Sequence, residues 1–284
     1  MGNQMFQYAA GLAVATRHRV PLKLDICYLL DKSRRYFRYT HREYALDVFN
    51  ITATIASPVE IARFTVPRVG NKYLYHLRKR LRKGWHVVRE SDLRDGEDFL
   101  RIPSDAYLEG YWQRAAYVAP LREMLLREFS FKEALPAFCR PIEEAIRAVP
   151  SVCVLFRRGD YVGHPEWDIL DLRYYNAAVD YLQARQNRLV YFVFSDDIPW
   201  CRAHFRRDDI SIQFVDQQYT GPKAQYYLQL MMACQHYIIP NSTYSWWAAW
   251  LNERPSKMVI APQKWFKSQT AGRNPILPDD WIAL

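Results

Sequence analysis

The 284-residue chain has few cysteines, and they are widely separated. The five (Cys27, Cys139, Cys153, Cys201 and Cys234) are odd in number, and no Cys-x-x-Cys pair occurs. This spacing excludes a disulfide framework and a structural zinc site. We therefore predict a protein of a reducing compartment.

Long apolar runs are also absent. No stretch of about 18 apolar residues occurs, and the N-terminus does not lead from a basic region into an apolar core. We expect neither a transmembrane helix nor a signal peptide, and a cytoplasmic location. The remaining composition, 50% hydrophobic and 24% charged, is globular. The aromatic content of 15% fits either a large core or a protein that stacks sugars on its rings.

The net charge of +9 attracts anions such as nucleotide phosphates, nucleic acid or an acidic membrane face. The densest basic run comprises Arg78, Lys79, Arg80, Arg82 and Lys83. This run predicts either the solvent-exposed face of a helix or a peripheral contact with an anionic membrane. No zinc-finger spacing or RNA-binding signature accompanies it, so nucleic acid is not an expected partner.

The chain begins with a turn signal at Gly2 and an apolar helical pattern from Met5 to Ala13. The alternation of residues 20–24 then predicts a strand ending at Asp25. These pieces are the second half of a β-α-β unit, so the first strand of an N-terminal domain is missing here. We expect the natural start to precede Met1.

Less regular sequence follows. Residues 26–100 show no clear pattern, residues 107–112 predict a strand, and residues 115–128 predict a helix. Pro136 and Pro141 flank a predicted linker into the second half.

The second half alternates strands and helices. Predicted strands are 152–156, 189–194, 210–215, 237–239 and 258–261, with helices near 174–186, 198–206, 223–235 and 243–251. Such alternation favours a parallel sheet covered on both faces. Ligands of these sheets bind beyond the carboxyl ends of the strands.

The first of these strands runs into Arg157, Arg158, Gly159 and Asp160. Adjacent arginines can present two guanidinium forks to a diphosphate, while Gly159 allows a tight turn. Asp160 can orient an arginine or accept a proton. A surface ion pair between arginine and Asp160 is the alternative.

The next strand ends at Ser195, Asp196 and Asp197. A carboxylate here can bind guanine or ribose, cap the following helix, or hold a metal. The arginines make a metal redundant, so none is expected.

A later strand leads into Asn241, Ser242, Thr243 and Ser245, followed by Trp246 and Trp247. Small hydroxyl residues at a helix start either bind a phosphate through backbone N–H groups or cap the helix. We interpret the two tryptophans as core anchors.

Five blocks together resemble the bacterial α-1,2-fucosyltransferases of glycosyltransferase family 11. They are Gly-Asn-Gln-Met-Phe-Gln-Tyr-Ala-Ala-Gly (2–11), Tyr-Leu-Glu-Gly-Tyr-Trp-Gln (107–113), Arg-Arg-Gly-Asp-Tyr (157–161), Phe-Ser-Asp-Asp (194–197) and Asn-Ser-Thr-Tyr-Ser-Trp-Trp-Ala-Ala-Trp-Leu (241–251). The late Ala-Pro-Gln-Lys-Trp-Phe (261–266) is similar too. The blocks keep the family's order and cover nearly the whole chain.

The resemblance implies an α/β fold of two Rossmann-like domains facing across a cleft (GT-B-like), residues 1–145 for the acceptor and 146–284 for GDP-fucose. It implies an inverting, metal-independent transfer of fucose to the 2-hydroxyl of a terminal galactose or similar sugar in surface glycan or O-antigen biosynthesis. GDP-fucose is a co-substrate, and no cofactor is expected.

The implied site falls on the matching blocks. Arg157, Arg158 and Asp160 are the predicted catalytic residues. The predicted GDP-fucose residues are Gly2, Asn3, Gln4, Gly159, Ser195, Asp196, Asn241, Ser242, Thr243 and Ser245. For the base that takes the acceptor proton, Asp160, Glu166 and Asp168 all stay open.

Two departures from the family pattern leave the function open. The family usually has His where this chain has Leu155, and a strand with Gly-Gly-Leu before Gly2. The chain is then either an active transferase, a GDP-binding but inactive truncated homologue, or a transferase of another nucleotide sugar.

Overall fold

A computed structural model describes residues 1–30, 42–64, 86–93, 96–270, 272 and 274–284. The chain divides into two compact units: an N-terminal unit, Asn3–Ser130, and a C-terminal unit, Met1–Gly2 with Phe131–Leu284. The domain boundary predicted after residue 145 and the cleft between facing domains stay predictions. The basic run at residues 78–83 lies outside the described residues.

The N-terminal unit holds short elements. Its helices are α1 (Gly2–His18), α2 (Cys27–Leu30), α3 (Pro58–Phe64), α4 (Gly96–Leu100), α5 (Ala115–Val118) and α6 (Arg122–Glu128). Its strands are β1 (Lys23–Leu24), β2 (Thr54–Ile55), β3 (His86–Arg89) and β4 (Ala106–Glu109). Within the described residues they form two separate parallel pairs, β1 with β2 and β3 with β4. A further strand before Gly2 stays a prediction.

Sequence predictions for this unit are confirmed in part. The strand expected near residues 20–24 is only two residues long. The single helix predicted over 115–128 is wrong, because a 3₁₀ turn at Ala119–Leu121 separates α5 from α6. Pro120 lies in that turn, and a proline cannot donate the backbone hydrogen bond that a continuous helix needs. Around α1 the core is aromatic: Phe99 stacks on Tyr117 with ring centroids 3.9 Å apart.

The C-terminal unit alternates strands and helices as predicted. Its strands are β5 (Ser151–Phe156), β6 (Val190–Ser195), β7 (Ser211–Phe214), β8 (His236–Ile238), β9 (Val259–Ala261) and β10 (Ile282–Ala283). Its helices are α7 (Arg140–Arg147), α8 (Leu172–Gln183), α9 (Ile198–His204), α10 (Gln225–Ala233) and α11 (Thr243–Leu251). The linker predicted between Pro136 and Pro141 is wrong, because Pro141 lies in the first turn of α7, where a missing N–H costs nothing.

All six strands of this unit are parallel and form one sheet in the order β10-β9-β8-β5-β6-β7. Numbered within the unit and read from the β7 edge, this is 3-2-1-4-5-6, the order of dinucleotide-binding Rossmann sheets. The order reverses between β5 and β8. A crevice therefore opens at the carboxyl ends of those two strands.

Both faces of the sheet are covered. Val152, Val154 and Phe156 of β5 pack into a core with α8 and α9 on one face. Every residue of β5 is buried, as expected of a central parallel strand. Trp246 and Trp247 of α11 are fully buried, which confirms them as core residues. Each of the five cysteines is a free thiol, as predicted.

No helix in the described part of the chain has both the length and the apolar character needed to cross a bilayer.

Candidate active site

Strand register brings the predicted arginine and aspartate motifs together. In the β5–β6 pair, Phe156 lies opposite Ser195. Parallel strands leave a sheet at the same edge, so the next residues along, Arg157 and Asp196, emerge side by side. Arg157 Nη1 lies 2.7 Å from Asp196 Oδ2. Two motifs that are far apart in sequence thus form one charged cluster.

The Arg157 guanidinium is engaged on both arms. Its Nη2 pairs with Asp160, three residues along the chain, while Nη1 holds Asp196. The guanidinium also lies 5.5 Å from the ring centroid of Tyr161. Asp160 is therefore an ion-pair partner of Arg157, which was one of its two predicted roles.

Arg158 is held differently. Its Nε donates to Asp197 Oδ2 at 3.2 Å, and its guanidinium carbon lies 3.6 Å from the ring centroid of Trp200. Stacking and one hydrogen bond fix the plane of the guanidinium. In the residues described, no further ion pair engages Nη1 or Nη2, so the terminal fork is available to a bidentate anion.

The acidic motif after β6 fixes the turn after β5. Asp196 Oδ1 accepts the Arg158 backbone N–H at 2.9 Å. A Cβ at Gly159 would lie 2.7 Å from Asp196 Oδ2, so a larger residue here would displace that carboxylate. Asp197 Oδ1 accepts from the Trp200 N–H at 3.1 Å, which confirms it as the cap of α9, and Ser195 Oγ accepts from the Asp197 N–H.

No group of three or more His, Cys, Asp or Glu residues within the described ranges is arranged to hold a metal ion. Independence from metal stays a prediction.

Asn241 anchors the crevice from the β8 side. It is buried, and its amide nitrogen donates to the carbonyls of Trp167 at 3.1 Å and Trp265 at 2.9 Å. Its backbone carbonyl accepts from the Tyr161 hydroxyl at 3.0 Å. Asn241 therefore connects three segments around the crevice, a structural role that its predicted donor contact did not include.

The start of α11 is closely packed. Ser245 is fully buried, and its hydroxyl donates to the Ser242 carbonyl at 3.1 Å. A Cβ at Gly2 would lie 2.6 Å from atoms of Thr243 and Tyr244, and the Gly2 carbonyl accepts from Trp247 Nε1. Gly2 is thus brought to the predicted Ser242–Ser245 segment.

Asn3 and Gln4 lie in the N-terminal unit. Asn3 Oδ1 accepts from Gln113 Nε2 at 3.1 Å. Gln4 donates to the Glu43 carbonyl at 2.7 Å and accepts from the Ala45 N–H at 2.9 Å. Both ends of the Gln4 amide thus hold the backbone of residues 43–45. The donor contacts predicted for Asn3 and Gln4 stay predictions.

A pocket of about 420 Å³ opens at the crevice between β5 and β8. Its lining includes both arginines, Asn241 and an aromatic set comprising Phe156, Tyr161, Trp167, Tyr175 and Trp200. The sequence motifs located the arginines and Tyr161, but not the remaining four rings. Leu155, where the family usually has His, is buried in β5, and its carbonyl accepts from the Tyr175 hydroxyl at 3.2 Å.

A parallel sheet of this order, with arginines at the reversal of strand order, is typical of a nucleotide-binding α/β protein. The whole chain, residues 1–284, matches Glycosyl transferase family 11, and the chain belongs to that family. It is therefore a glycosyltransferase, which uses a nucleotide-sugar donor and a glycan acceptor.

Curated relatives include two full-length matches from Escherichia coli. An alpha-1,2-colitosyltransferase is 32% identical over 100% of this chain and 96% of its own length. The O-antigen biosynthesis glycosyltransferase WbnK is 29% identical over 100% and 97%. Galactoside alpha-(1,2)-fucosyltransferase 2 of Hylobates lar is 29% identical over 59% of this chain and 51% of its own length.

Proposed function

We propose that the chain transfers L-fucose from GDP-β-L-fucose to the 2-hydroxyl of a terminal galactose or similar sugar. Transfer proceeds with inversion, without a metal, in the biosynthesis of a surface glycan such as O-antigen. The observation that carries the proposal is the arginine pair at the crevice of a Rossmann-order sheet in a family 11 chain. The name of WbnK supports the O-antigen setting, and the name of the mammalian relative supports fucose as the sugar and a galactoside as the acceptor.

The arginines supply the electrostatics that the reaction needs. As the bond between sugar and phosphate breaks, the sugar gains oxocarbenium character and negative charge builds on the leaving diphosphate. The open fork of Arg158 can donate two hydrogen bonds to the diphosphate and so stabilise its negative charge. Arg157 adds positive charge, although both of its arms already hold carboxylates.

Metal independence follows from the same charges. Asp160, Asp196 and Asp197 each pair with an arginine, so none offers a free carboxylate to a divalent cation. We expect chelation by EDTA to leave transfer unchanged. Restoration by Mn²⁺ of a rate lost to EDTA would instead make these carboxylates metal ligands.

The setting is the cytoplasmic side of a membrane that carries the growing glycan. The excess of basic residues supports a peripheral contact with anionic lipid. No nucleic-acid partner is expected.

One observation favours a second donor, GDP-colitose. The colitosyltransferase is 32% identical along the whole chain. Colitose is fucose without the 3-hydroxyl, so the two donors differ by one polar group. A site that hydrogen-bonds that hydroxyl would reject colitose strongly, whereas an apolar surface there would discriminate only weakly.

The deciding experiment incubates the protein with GDP-fucose or GDP-colitose and a panel of galactosides, with and without EDTA. NMR of the product reports the linkage and the anomeric configuration. Fucose on the 2-hydroxyl of galactose in the α configuration supports the proposal. A higher kcat/KM with GDP-colitose would reassign the donor, and GDP binding without transfer would identify an inactive homologue.

A further inference from the structure

The pocket beside the arginines contains one carboxylate that differs from its neighbours. Asp168 lines the pocket, and its Oδ2 accepts the Gly163 backbone N–H at 2.7 Å. No ion pair engages Asp168 within the part of the chain that the structure describes. Gly163 has a φ of 74°, a conformation that favours glycine, and in this conformation its N–H donates to Asp168.

The other carboxylates around the crevice are committed to cations. Asp160 and Asp196 hold Arg157, and Asp197 holds Arg158. Each of these carboxylates is thus already engaged by a guanidinium. Asp171, which also lines the pocket, pairs with Arg173 at 2.6 Å and caps α8. The Arg173 side chain lowers the pKa of Asp171.

Glu166 is the other acidic residue of this loop, and its carboxylate is engaged by a hydrogen bond outside the pocket. Its Oε2 accepts the Ser268 N–H at 3.1 Å, and its backbone carbonyl accepts the Lys267 N–H at 2.9 Å. Hydrogen bonds from Ser268 lower the pKa of Glu166. Glu166 is not part of the pocket lining. It serves to attach the pocket loop to residues 267–268.

We infer that Asp168 is the catalytic base of the transfer reaction, an assignment that rests on the proposed function. The oxygen of the acceptor hydroxyl forms a bond to the anomeric carbon of the donor sugar. The bond from that carbon to the phosphate oxygen breaks, and its electron pair leaves with GDP. The acceptor proton moves to Asp168 Oδ1, while Oδ2 keeps its bond to Gly163, and it is later released to water. General base catalysis of this kind contributes about 10²–10⁴ in rate.

The test compares Asp168→Asn with Glu166→Gln. Asparagine keeps an oxygen for the Gly163 N–H but cannot accept the proton. We expect kcat to fall by about 10²–10⁴ in Asp168→Asn, with donor KM and GDP affinity unchanged. Glu166→Gln should keep a kcat close to that of the unaltered protein. Because Asp168 is exposed, melting temperatures should be unchanged, and Asp168→Ser, whose hydroxyl can also accept a hydrogen bond, provides a second variant.

The pH dependence of kcat provides an independent readout. A base must be ionised, so the rate should fall toward acid pH, and the residual rate of Asp168→Asn should lack that fall. Asp168→Glu, which restores a carboxylate, should recover both the rate and its acid limb in part. Among the described residues, the charged and titratable side chains that line the pocket with Asp168 are Arg157, Arg158, Tyr161, Asp171, Arg173 and Tyr175. His164 and Glu166 lie in the same loop as Asp168.

The outcomes separate the two proposals. If the unaltered protein transfers sugar and a folded Asp168→Asn protein transfers equally fast, the assignment of Asp168 is wrong and the proposed function stands. If the unaltered protein transfers nothing from either GDP donor while binding GDP, the proposed function fails and the assignment fails with it.

Discussion

The two units of this chain are organised in different ways. In the C-terminal unit one continuous sheet sets the geometry, and the site residues follow directly from strand ends whose register is fixed by backbone hydrogen bonds. In the N-terminal unit the strands form separate short pairs, and polar side chains hold the backbone instead. Glu90, for example, accepts the N–H groups of both Tyr111 and Trp112.

This difference indicates where substitutions affect chemistry and where they affect stability. Register fixed by a buried sheet tolerates the loss of a side chain at a strand end, because the backbone ladder remains. A loop held by a single buried carboxylate does not, because several N–H and O–H groups lose their acceptor together.

The largest expected effect is on chemistry in the C-terminal unit. Arg158→Ala should lower kcat by about 10²–10³, because it removes the open fork to which we assign the leaving diphosphate under the proposed function. Arg158→Lys should recover little, since a point charge does not replace a bidentate donor. Steady-state transfer assays check this, with Arg147→Ala, which breaks an exposed pair with Glu143 on α7, as the control. A folded Arg158→Ala protein with a normal rate would remove the phosphate role.

The next effect is on stability in the N-terminal unit. Glu128 is buried and accepts from the Tyr8 hydroxyl at 2.5 Å and from the Thr52 N–H and hydroxyl, each at 2.7 Å. Burial, with Glu128 beside it, raises the pKa of Tyr8, which keeps its hydroxyl a donor. Glu128→Ala should lower the free energy of unfolding by about 2–3 kcal/mol, because these donors lose their acceptor.

Urea denaturation measures the change, and Glu123→Ala, at an exposed position on the same helix, should be nearly neutral. Equal midpoints for the two variants would show that the N-terminal unit does not depend on this carboxylate.

A smaller effect is expected at Gly159. An added methyl group would lie 2.7 Å from Asp196 Oδ2, so Gly159→Ala should displace that carboxylate from Arg157. We expect a loss of about tenfold in kcat/KM, equivalent to about 1.4 kcal/mol, with little change in melting temperature. Gly272→Ala, whose added Cβ has open space around it but whose backbone would be strained, separates steric from conformational cost. A fully active Gly159→Ala protein would show that the Asp196 position is not critical.

The smallest effect is a pH dependence of stability that originates at His236. This residue is buried in β8, and its Nδ1 accepts the Met258 N–H at 3.0 Å. Burial, with Arg254 as a second cause, lowers the pKa of His236 below its ordinary value. The unfolded chain then binds a proton near pH 6.5 while the folded chain does not, so stability falls as pH drops below about 6.5.

Melting temperatures from pH 7.5 to 5 should therefore decline less in His236→Asn than in the unaltered protein. His204→Asn, at an exposed position, is the control and should leave the decline unchanged. Parallel curves for all three proteins would exclude His236 as the source.

Much of the C-terminal unit could be predicted because the apolar runs in its sequence are also the buried strands of its sheet. Each predicted strand is a short apolar run bounded by polar or turn residues, and five of the six observed strands, β5 to β9, begin and end within two residues of those positions. The N-terminal unit was less predictable, because its two-residue strands carry too little periodicity to identify. Proline has two different effects in this chain. Pro120 lies in the 3₁₀ turn that interrupts a predicted helix, whereas Pro141 lies in the first turn of α7, where the helix tolerates it.

The alternating strands and helices, the charged motifs at the strand ends and the family can all be read from the order of the amino acids. Which motifs meet was decided by the tertiary structure. Arg157 reaches Asp196 because β5 and β6 are neighbours in register, and Asn241 joins the crevice because β8 lies on the other side of β5. Neither the strand order nor the position of Asp168 in the pocket beside the arginines can be read from spacing. Both depend on contacts between residues distant in sequence, which form only when the sheet assembles.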